Sequence, residues 1–267
     1  MARASNFYNG FRLLPPRKHR ALSAIYAFMR QCDDISDNDG TVEAKREQFK
    51  QWQETFVQAM NDNNTQHPTL LALRDTVQQF RIPLDYFLQL IEGTEMDLTT
   101  NRYSTFEELY RYCYHVASVV GLICIQVFEY EKERAKECAK ACGIAFQLTN
   151  ILRDIREDLD RDRVYLPLKD LERFHYSEND LRNNVTDKRF HDLVHFQIVR
   201  ARAYYAEAAP LADMICEDSR AAFRVMYRSY LSLLQHIENK GSKILEERVH
   251  LSKAEKLKIL LQAFWKR

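Results

Sequence analysis

Two pairs of aspartates have a spacing that could build a metal site. Asp33 and Asp37 lie four residues apart, and Asp154 and Asp158 repeat that spacing much later in the chain. On an α-helix, residues four apart lie on one face, one turn from each other. Two such faces directed at each other would concentrate negative charge, which is costly unless hard divalent cations bind between them. The spacing therefore indicates a site for divalent cations and a diphosphate.

The second pair is extended by further side chains that carry oxygen ligands. Gln147 and Asn150 precede Asp154 and Asp158 close to one helix face, with apolar residues between them. Carboxylate and amide oxygens suit Mg²⁺, and this face carries none of the His and Cys ligands that Zn²⁺ favours. The second constellation is therefore the stronger indication of a magnesium site.

Arginines and a tyrosine accompany both pairs. Arg30 and Tyr26 continue the face of Asp33 by one and two turns, and Arg153 and Arg163 flank the second pair. A guanidinium group can grip phosphate oxygens with two parallel hydrogen bonds. The competing interpretation is that both pairs are solvated acidic ends of amphipathic helices, and the occurrence of two such clusters in one chain weighs against it.

The composition favours an all-α fold that positions these faces. The chain has 267 residues, 46% of them hydrophobic, but only 6 glycines and 6 prolines. A β-rich chain would need more glycine in its turns. We expect one domain over residues 1–267, with short helices between 163 and 184 and two or three helices after 187. The longer helices are predicted at 18–37, 41–61, 69–80, 83–98, 105–130 and 131–160.

Charge and hydropathy exclude several classes of protein. The formal net charge is +1 and the basic residues form no long run, which argues against nucleic acid as a partner. The N-terminus lacks the apolar segment of a signal peptide, and the most apolar window, 116–128, is too short to span a membrane. That window is predicted to be a buried core helix. We therefore expect a cytoplasmic protein.

The cysteines are expected to be free structural thiols. They fall inside apolar helical patterns, and no matching pair of Cys and His residues completes a zinc site. Without a secretory signal, a reducing compartment is expected. The six are Cys32, Cys113, Cys124, Cys138, Cys142 and Cys216.

The C-terminal segment LKILLQAFWKR is amphipathic and ends near Trp265. Packing of its apolar face against the helical core is the simpler interpretation. Peripheral contact with a membrane, on the inner face, is the alternative that we keep.

Four segments together resemble the squalene/phytoene synthase family of head-to-head prenyl synthases. They are FRLLP, AIYAFMRQCDDISD, YCYHVASVVG and QLTNILRDIREDLDRDRVYLP, and their order and spacing cover nearly the whole chain. The resemblance implies an all-α isoprenoid synthase fold, a single helical bundle around a central cavity. It also implies that two molecules of a prenyl diphosphate bind there with two or three Mg²⁺ ions.

The resemblance also assigns roles to residues of this chain. It implies metal ligation by Asp33, Asp37, Asn150, Asp154 and Asp158. It implies catalytic roles for Tyr26, Arg30, Tyr112 and Arg153, with both arginines on a diphosphate. It implies substrate binding by Gln147, Arg163, Tyr230 and Arg248, the last three through the diphosphate and Gln147 along the cavity.

The implied reaction begins when Mg²⁺ makes the diphosphate a better leaving group. The second substrate attacks the allylic cation, and proton loss to the released diphosphate or to a tyrosine closes a cyclopropane, giving presqualene diphosphate. The reaction could stop there, continue with NADPH to squalene, or give dehydrosqualene; geranylgeranyl diphosphate would lead to phytoene. NADPH is a possible cofactor that the sequence does not indicate. The chain has no Gly-rich dinucleotide motif, but this family does not need one for NADPH, so the missing motif decides little.

We expect two farnesyl diphosphates as substrates, because FYNGFRLLP and NILRDIRED resemble bacterial presqualene and squalene-type members. Phe11 and Ser23, if both face the cavity floor, would have opposite effects on chain length. The resemblance also suggests a downstream pathway enzyme as a partner.

Three other functions were weighed against this one. A head-to-tail elongation enzyme or a terpene cyclase would share the diphosphate chemistry, but would lack FRLLP and YCYHVA. A catalytically inactive helical assembly factor with this fold is predicted to lose its metal ligands, whereas the four aspartates and Asn150 are present here.

Overall fold

The computed structural model describes residues 10–61 and 65–265, and most of this part of the chain is helical. Its β-structure is limited to two isolated bridges, Arg102–Val164 and Tyr130–Ile215. The all-α prediction is confirmed. The α-helices are α1 Pro16–Asp37, α2 Val42–Asn61, α3 Pro68–Phe80, α4 Leu84–Met96, α5 Phe106–Cys113, α6 Val119–Phe128, α7 Arg134–Asp160, α8 Leu168–Arg173, α9 Glu178–Arg182, α10 Lys188–Ala208, α11 Glu217–Lys240 and α12 Lys253–Trp265.

Most helices begin and end close to the predicted positions, but the predicted helix over 105–130 is not a continuous α-helix. A π-helical turn, Tyr114–Ser118, separates α5 from α6. Glycines on two neighbouring helices let their backbones approach this turn: a Cβ on Gly93 would lie 2.5 Å from the Cβ of His115, and one on Gly143 would lie 2.5 Å from the Ala117 carbonyl. A π turn changes the direction of the side chains around it, and such turns are frequent at functional sites.

The first turn of α5 is capped by two side chains. The Thr105 hydroxyl accepts a hydrogen bond from the backbone N–H of Glu108 at 3.2 Å. The Glu108 carboxylate accepts a hydrogen bond from the backbone N–H of Ser104 at 2.7 Å. Both bonds satisfy orphan donors at the start of α5.

Helix α7 lies at the centre of the bundle and packs against α6, α10, α11 and the π turn. Its buried residues recur through its whole length and include several alanines and Gly143, which let neighbouring helices approach closely. The acidic pair follows at its C-terminal end. The helix therefore carries both the apolar core and the second predicted site.

Helix α1 is fixed in place by the buried Lys18. Its ammonium group donates to the backbone carbonyl of Phe128 at 3.1 Å, to the Ser219 hydroxyl at 3.1 Å and to the Asp218 carboxylate at 2.7 Å. These bonds join the start of α1 to the end of α6 and the start of α11. A buried ammonium requires such partners. The opposite end of α1, with its aspartates, is thereby oriented.

The most apolar window, 116–128, belongs to a longer helical run. Phe106–Phe128 is long and apolar enough to cross a membrane by length and composition alone, whereas the expectation of too short a segment concerned only the window. The expectation of a buried core helix is confirmed, since eight of the ten residues of α6 are buried. A buried core helix passes the same length test as a membrane span.

All six cysteines are free thiols. Five of them are buried as expected, but Cys216 is exposed, because it lies just before α11 instead of inside a helix. The prediction of one domain over the whole chain remains a prediction.

Candidate active site

A cavity of about 450 Å³ lies between α1, α4, α6, α7 and α11. Its walls are mostly aliphatic, aromatic or small side chains, whereas its polar residues are few. The π turn contributes Val116 and Ala117, and α6 continues the wall with Val120, Cys124 and Phe128. An apolar cavity of this kind suits a hydrocarbon chain and excludes water.

The aspartate row of α1 lies beside the opening of this cavity. Asp33 lines the cavity but keeps 51% of its side-chain surface accessible. Arg30 contacts Asp33 at 3.3 Å and Asp34 at 2.7 Å. Desolvation by the surrounding protein raises the pKa of Asp33 to about 6; Arg30 opposes this shift, and Asp37 adds to it. Asp33 is therefore a carboxylate whose charge is incompletely balanced.

The aspartate row of α7 is balanced by arginines. Arg153 forms a two-point ion pair with Asp154, whose second partner is Arg248 at 2.9 Å. Arg248 also contacts Glu157 at 3.1 Å. Asp158, one turn on, lacks such a pairing, and burial followed by the charge of Asp154 raises its pKa to about 7. Within this row, Asp154 is neutralised and Asp158 is not.

The two rows lie close enough to influence each other. The guanidinium of Arg161, just after α7, is 3.9 Å from the carboxylate of Asp37, the last residue of α1. The charge of Asp97, at the end of α4, raises the pKa of both Asp33 and Asp158. The predicted juxtaposition of two acidic rows is therefore present in the geometry.

Asp97 is a site residue that the sequence analysis missed. It lines the cavity, and its carboxylate accepts hydrogen bonds from the hydroxyls of Tyr165 at 2.8 Å and Tyr112 at 3.0 Å. Arg163 donates to the Asp97 backbone carbonyl at 3.2 Å. Burial raises the pKa of both tyrosines, which keeps them neutral donors. A signal existed: like the predicted pairs, Asp97 ends a helix, where a carboxylate is disfavoured by the helix dipole.

The predicted residues divide into two groups by position. Seven of them line the apolar cavity: Tyr26, Arg30, Asp33, Tyr112, Gln147, Asn150 and Tyr230. The other six are absent from the cavity lining. Five of them form the ion pairs and hydrogen bonds described above, and Asp158 lies one turn after Asp154 on α7. The six are Asp37, Arg153, Asp154, Asp158, Arg163 and Arg248.

Phe11 and Ser23, which were predicted to affect the length of the prenyl chain if they faced the cavity floor, do not line the cavity. Phe11 is buried in the core, and the Ser23 hydroxyl donates to the backbone carbonyl of His19 at 2.8 Å. Neither lines the cavity, so the opposing effects predicted for them lose their basis. Leu211, Phe223 and Met226 do line the cavity.

The donor set of the site fits hard cations. The side-chain oxygen of Asn150 is buried without a hydrogen-bond partner in the described structure, although its amide nitrogen donates to Gln147 at 3.3 Å. Burial raises the pKa of Asp33 to about 6 and that of Asp158 to about 7, against the opposing charges of Arg30 on Asp33 and of Arg163 and Arg161 on Asp158. Among the described residues, no three His, Cys, Asp or Glu side chains are close enough to hold a metal by themselves. The arrangement suits a cation shared between the protein and an anionic ligand.

Sequence comparisons with known proteins identify one family. The family profile described as squalene/phytoene synthase matches residues 1–255. The chain is 37% identical to the 15-cis-phytoene synthase of Synechocystis sp., over 99% of this chain and 81% of that protein. It is 36% identical to the phytoene synthase of Arthrospira platensis, over 96% of this chain and 87% of that protein.

Solved structures with the same fold include two synthases. A dehydrosqualene synthase in complex with a ligand superposes with a TM-score of 0.90 at 26% identity, covering 98% of this chain and 92% of the other. The squalene synthase HpnC from Alicyclobacillus acidocaldarius gives a TM-score of 0.81 at 24% identity, with 87% of each chain covered. The second likeness concerns the fold alone.

Proposed function

The chain belongs to the squalene/phytoene synthase family of prenyltransferases, and we propose that it condenses two prenyl diphosphates head to head. One observation carries the proposal: an apolar cavity of about 450 Å³ has Asp33, Arg30 and Asn150 among its few polar lining residues. A prenyl diphosphate has the same division, an apolar tail and a strongly anionic head. The intact acidic rows argue against an inactive assembly factor.

Magnesium ions are the proposed cofactor. Asp33 and Asp37 of the α1 row, with Asn150, Asp154 and Asp158 of the α7 row, would hold them. When bound, the ions neutralise the diphosphate and make it a better leaving group. The orphaned Asn150 oxygen, and the burial that raises the pKa of Asp33 and of Asp158, support this assignment.

The remaining side chains have separate proposed tasks. Arg30 and Arg163 would contact the diphosphates, and Arg153 and Arg248 would keep Asp154 oriented while remaining close to the anionic ligand. The apolar walls would keep water from the carbocation. Tyr26, Tyr112 and Gln147 would lie along the reacting carbons, with Tyr230, stacked 4.1 Å from Phe146, closing the wall beneath Asn150.

Two substrate lengths have support. The motifs FYNGFRLLP and NILRDIRED favour two farnesyl diphosphates and a thirty-carbon product, and the fold of a dehydrosqualene synthase is close. The curated relatives favour two geranylgeranyl diphosphates, because those quoted above are named phytoene synthases and reach 37% identity. For either substrate, the proposed enzyme is cytoplasmic, contacts the membrane peripherally and passes its product to a downstream enzyme.

A product assay tests the proposal. Purified protein is incubated with farnesyl or geranylgeranyl diphosphate and Mg²⁺, with and without NADPH, and products are identified by mass. We expect a cyclopropylcarbinyl diphosphate or its hydrocarbon product from one substrate, and none after treatment with a chelator. Absence of any condensed product from both substrates would contradict the proposal, and a linear head-to-tail diphosphate would identify an elongation enzyme instead.

A further inference from the structure

The outer face of α12 exposes two large apolar side chains one turn apart. Leu257 and Leu261 keep 56% and 55% of their surface accessible. The inner face of the same helix is buried, where Ile259 and Ala263 form a small cluster with residues of neighbouring segments. The helix therefore has one apolar face that packs on the protein and a second that faces solvent. Exposure of two adjacent leucines indicates an interaction surface.

Lysines border the exposed leucines on both sides. At helical spacing, Lys253 and Lys256 lie to one side of the Leu257–Leu261 line and Lys258 lies to the other, and all three are exposed. Long lysine side chains beside an apolar stripe can extend to anionic head groups while the stripe enters the apolar layer. The pattern is complementary to a negatively charged, apolar surface.

The acidic residue of this helix is engaged elsewhere. Glu255 accepts hydrogen bonds from the hydroxyl and the backbone N–H of Ser252, and pairs with His236 at 2.7 Å. Its charge therefore lies at the start of α12, against α11, and its own hydrogen bonds lower its pKa. The outer face keeps its positive character.

Helix α12 also lies one helix away from the cavity. It packs against α11, through Val225. Phe223 and Met226 of the same helix α11 line the cavity. A bilayer in contact with α12 would thus be separated from the cavity by α11.

We propose that the outer face of α12, formed by Leu257, Leu261 and the three lysines, docks the protein on an anionic lipid bilayer. Charge complementarity selects this occupant over a second copy of the chain, whose own α12 would bring lysines against lysines. The docking deepens the proposed function, because a long hydrocarbon product is insoluble in water. The vesicle experiment tests the docking separately from the proposed function, because binding is measured without substrate.

Vesicle binding tests the surface. Full-length protein is sedimented with vesicles of equal parts phosphatidylglycerol and phosphatidylcholine, and with vesicles of phosphatidylcholine alone. The double variant Leu257→Gln/Leu261→Gln should bind the anionic vesicles about tenfold more weakly than the parent, because two leucines no longer enter the apolar layer. The matched control, Val57→Gln/Val199→Gln, removes two exposed valines from α2 and α10 and should bind within about twofold of the parent.

A charge variant separates the two contributions. Lys253→Gln/Lys256→Gln/Lys258→Gln should lose most of the preference for anionic over neutral vesicles, and parent binding should weaken with added salt. Circular dichroism and turnover in detergent-free buffer should match the parent in every variant, which shows that folding is kept. Equal vesicle binding by parent and leucine variant would overturn the proposal. A parent dimer that dissociates in the leucine variant would also overturn it, and would assign the face to a second copy.

Discussion

The two aspartate rows have the same spacing but opposite electrostatic surroundings. On α1, Asp33 is half exposed and has Arg30 as its basic contact, at 3.3 Å. On α7, the Asp154 side chain is 17% accessible and two arginines hold it. The first row is open to a ligand, whereas part of the second is built into the protein. The same four-residue spacing of aspartates therefore has different electrostatic surroundings on the two helices.

This difference separates loss of activity from loss of stability. The ion pair of a half-exposed carboxylate stabilises the fold little, so its removal should reduce turnover without destabilising the protein. A carboxylate paired with two half-buried arginines contributes to both, because its removal leaves two cations without a partner. Four variants or conditions test this distinction.

The largest effect is expected from Asp33→Ala. Turnover should fall about a thousandfold, because a ligand for the cation that assists diphosphate departure is lost. The melting temperature should not fall; in the absence of metal at neutral pH it should rise slightly, because burial raises the pKa of Asp33. Steady-state kinetics and thermal unfolding measure the two quantities.

Asp34→Ala is the matched control for Asp33. Asp34 is the neighbouring carboxylate, contacts the same arginine at 2.7 Å, and is absent from the cavity lining. Its loss should reduce turnover by less than about tenfold. Equal losses in the two variants would show that general negative charge, and not the position of Asp33, matters.

The second effect is expected from Asp154→Asn. Turnover should fall about a hundredfold, and the free energy of unfolding should fall by about 2 kcal/mol, because Arg153 and Arg248 lose their carboxylate. Urea unfolding measures the stability. Glu157→Gln, which removes only the outer partner of Arg248, should cost no more than about 0.5 kcal/mol. A stable Asp154→Asn variant would remove the contrast between the rows.

A third, smaller effect concerns Asp97, which lies between the rows. Asp97→Asn should lower kcat about tenfold, because an amide cannot accept from both Tyr112 and Tyr165 as the carboxylate does. Tyr165→Phe leaves the hydrogen bond from Tyr112 to Asp97 in place. It should cost about 1 kcal/mol of stability and lower kcat less than Asp97→Asn does. If Tyr165→Phe reduced kcat more than Asp97→Asn, Tyr165 itself would be the important group.

The smallest effect is a pH dependence of the metal-free protein. The pKa of Asp33 is about 6 and that of Asp158 about 7, both above the usual value for an aspartate. Between about pH 4 and 7 the folded state thus binds more protons than the unfolded state, so these groups reduce stability as pH rises.

Urea unfolding in the presence of a chelator measures this dependence. The parent should lose stability relative to Asp33→Asn as pH rises from 4 to 7, and added Mg²⁺ should reduce the difference. A stability difference between parent and variant that does not change with pH would contradict the raised pKa.

Much of the fold was predictable from local patterns. The helices over 18–37 and 131–160 were correctly placed, because apolar residues at helical spacing and terminal signals such as Asn38-Asp39-Gly40 act within a few residues. The interruption of 105–130 was not predictable in the same way. The π turn depends on Gly93 and Gly143, which lie far from it in sequence and approach it only in the folded bundle.

The same division applies to the site. By itself, the sequence determined the residue types of the proposed site, their one-turn spacing and the family, because these follow from residue identity and helix geometry. The tertiary structure alone decided that Asp97 joins the site through Tyr112 and Tyr165, that two arginines neutralise Asp154, and that Leu257 and Leu261 face outward. Desolvation and pairing depend on which helices pack together, and helix spacing within one segment carries no information about its neighbours.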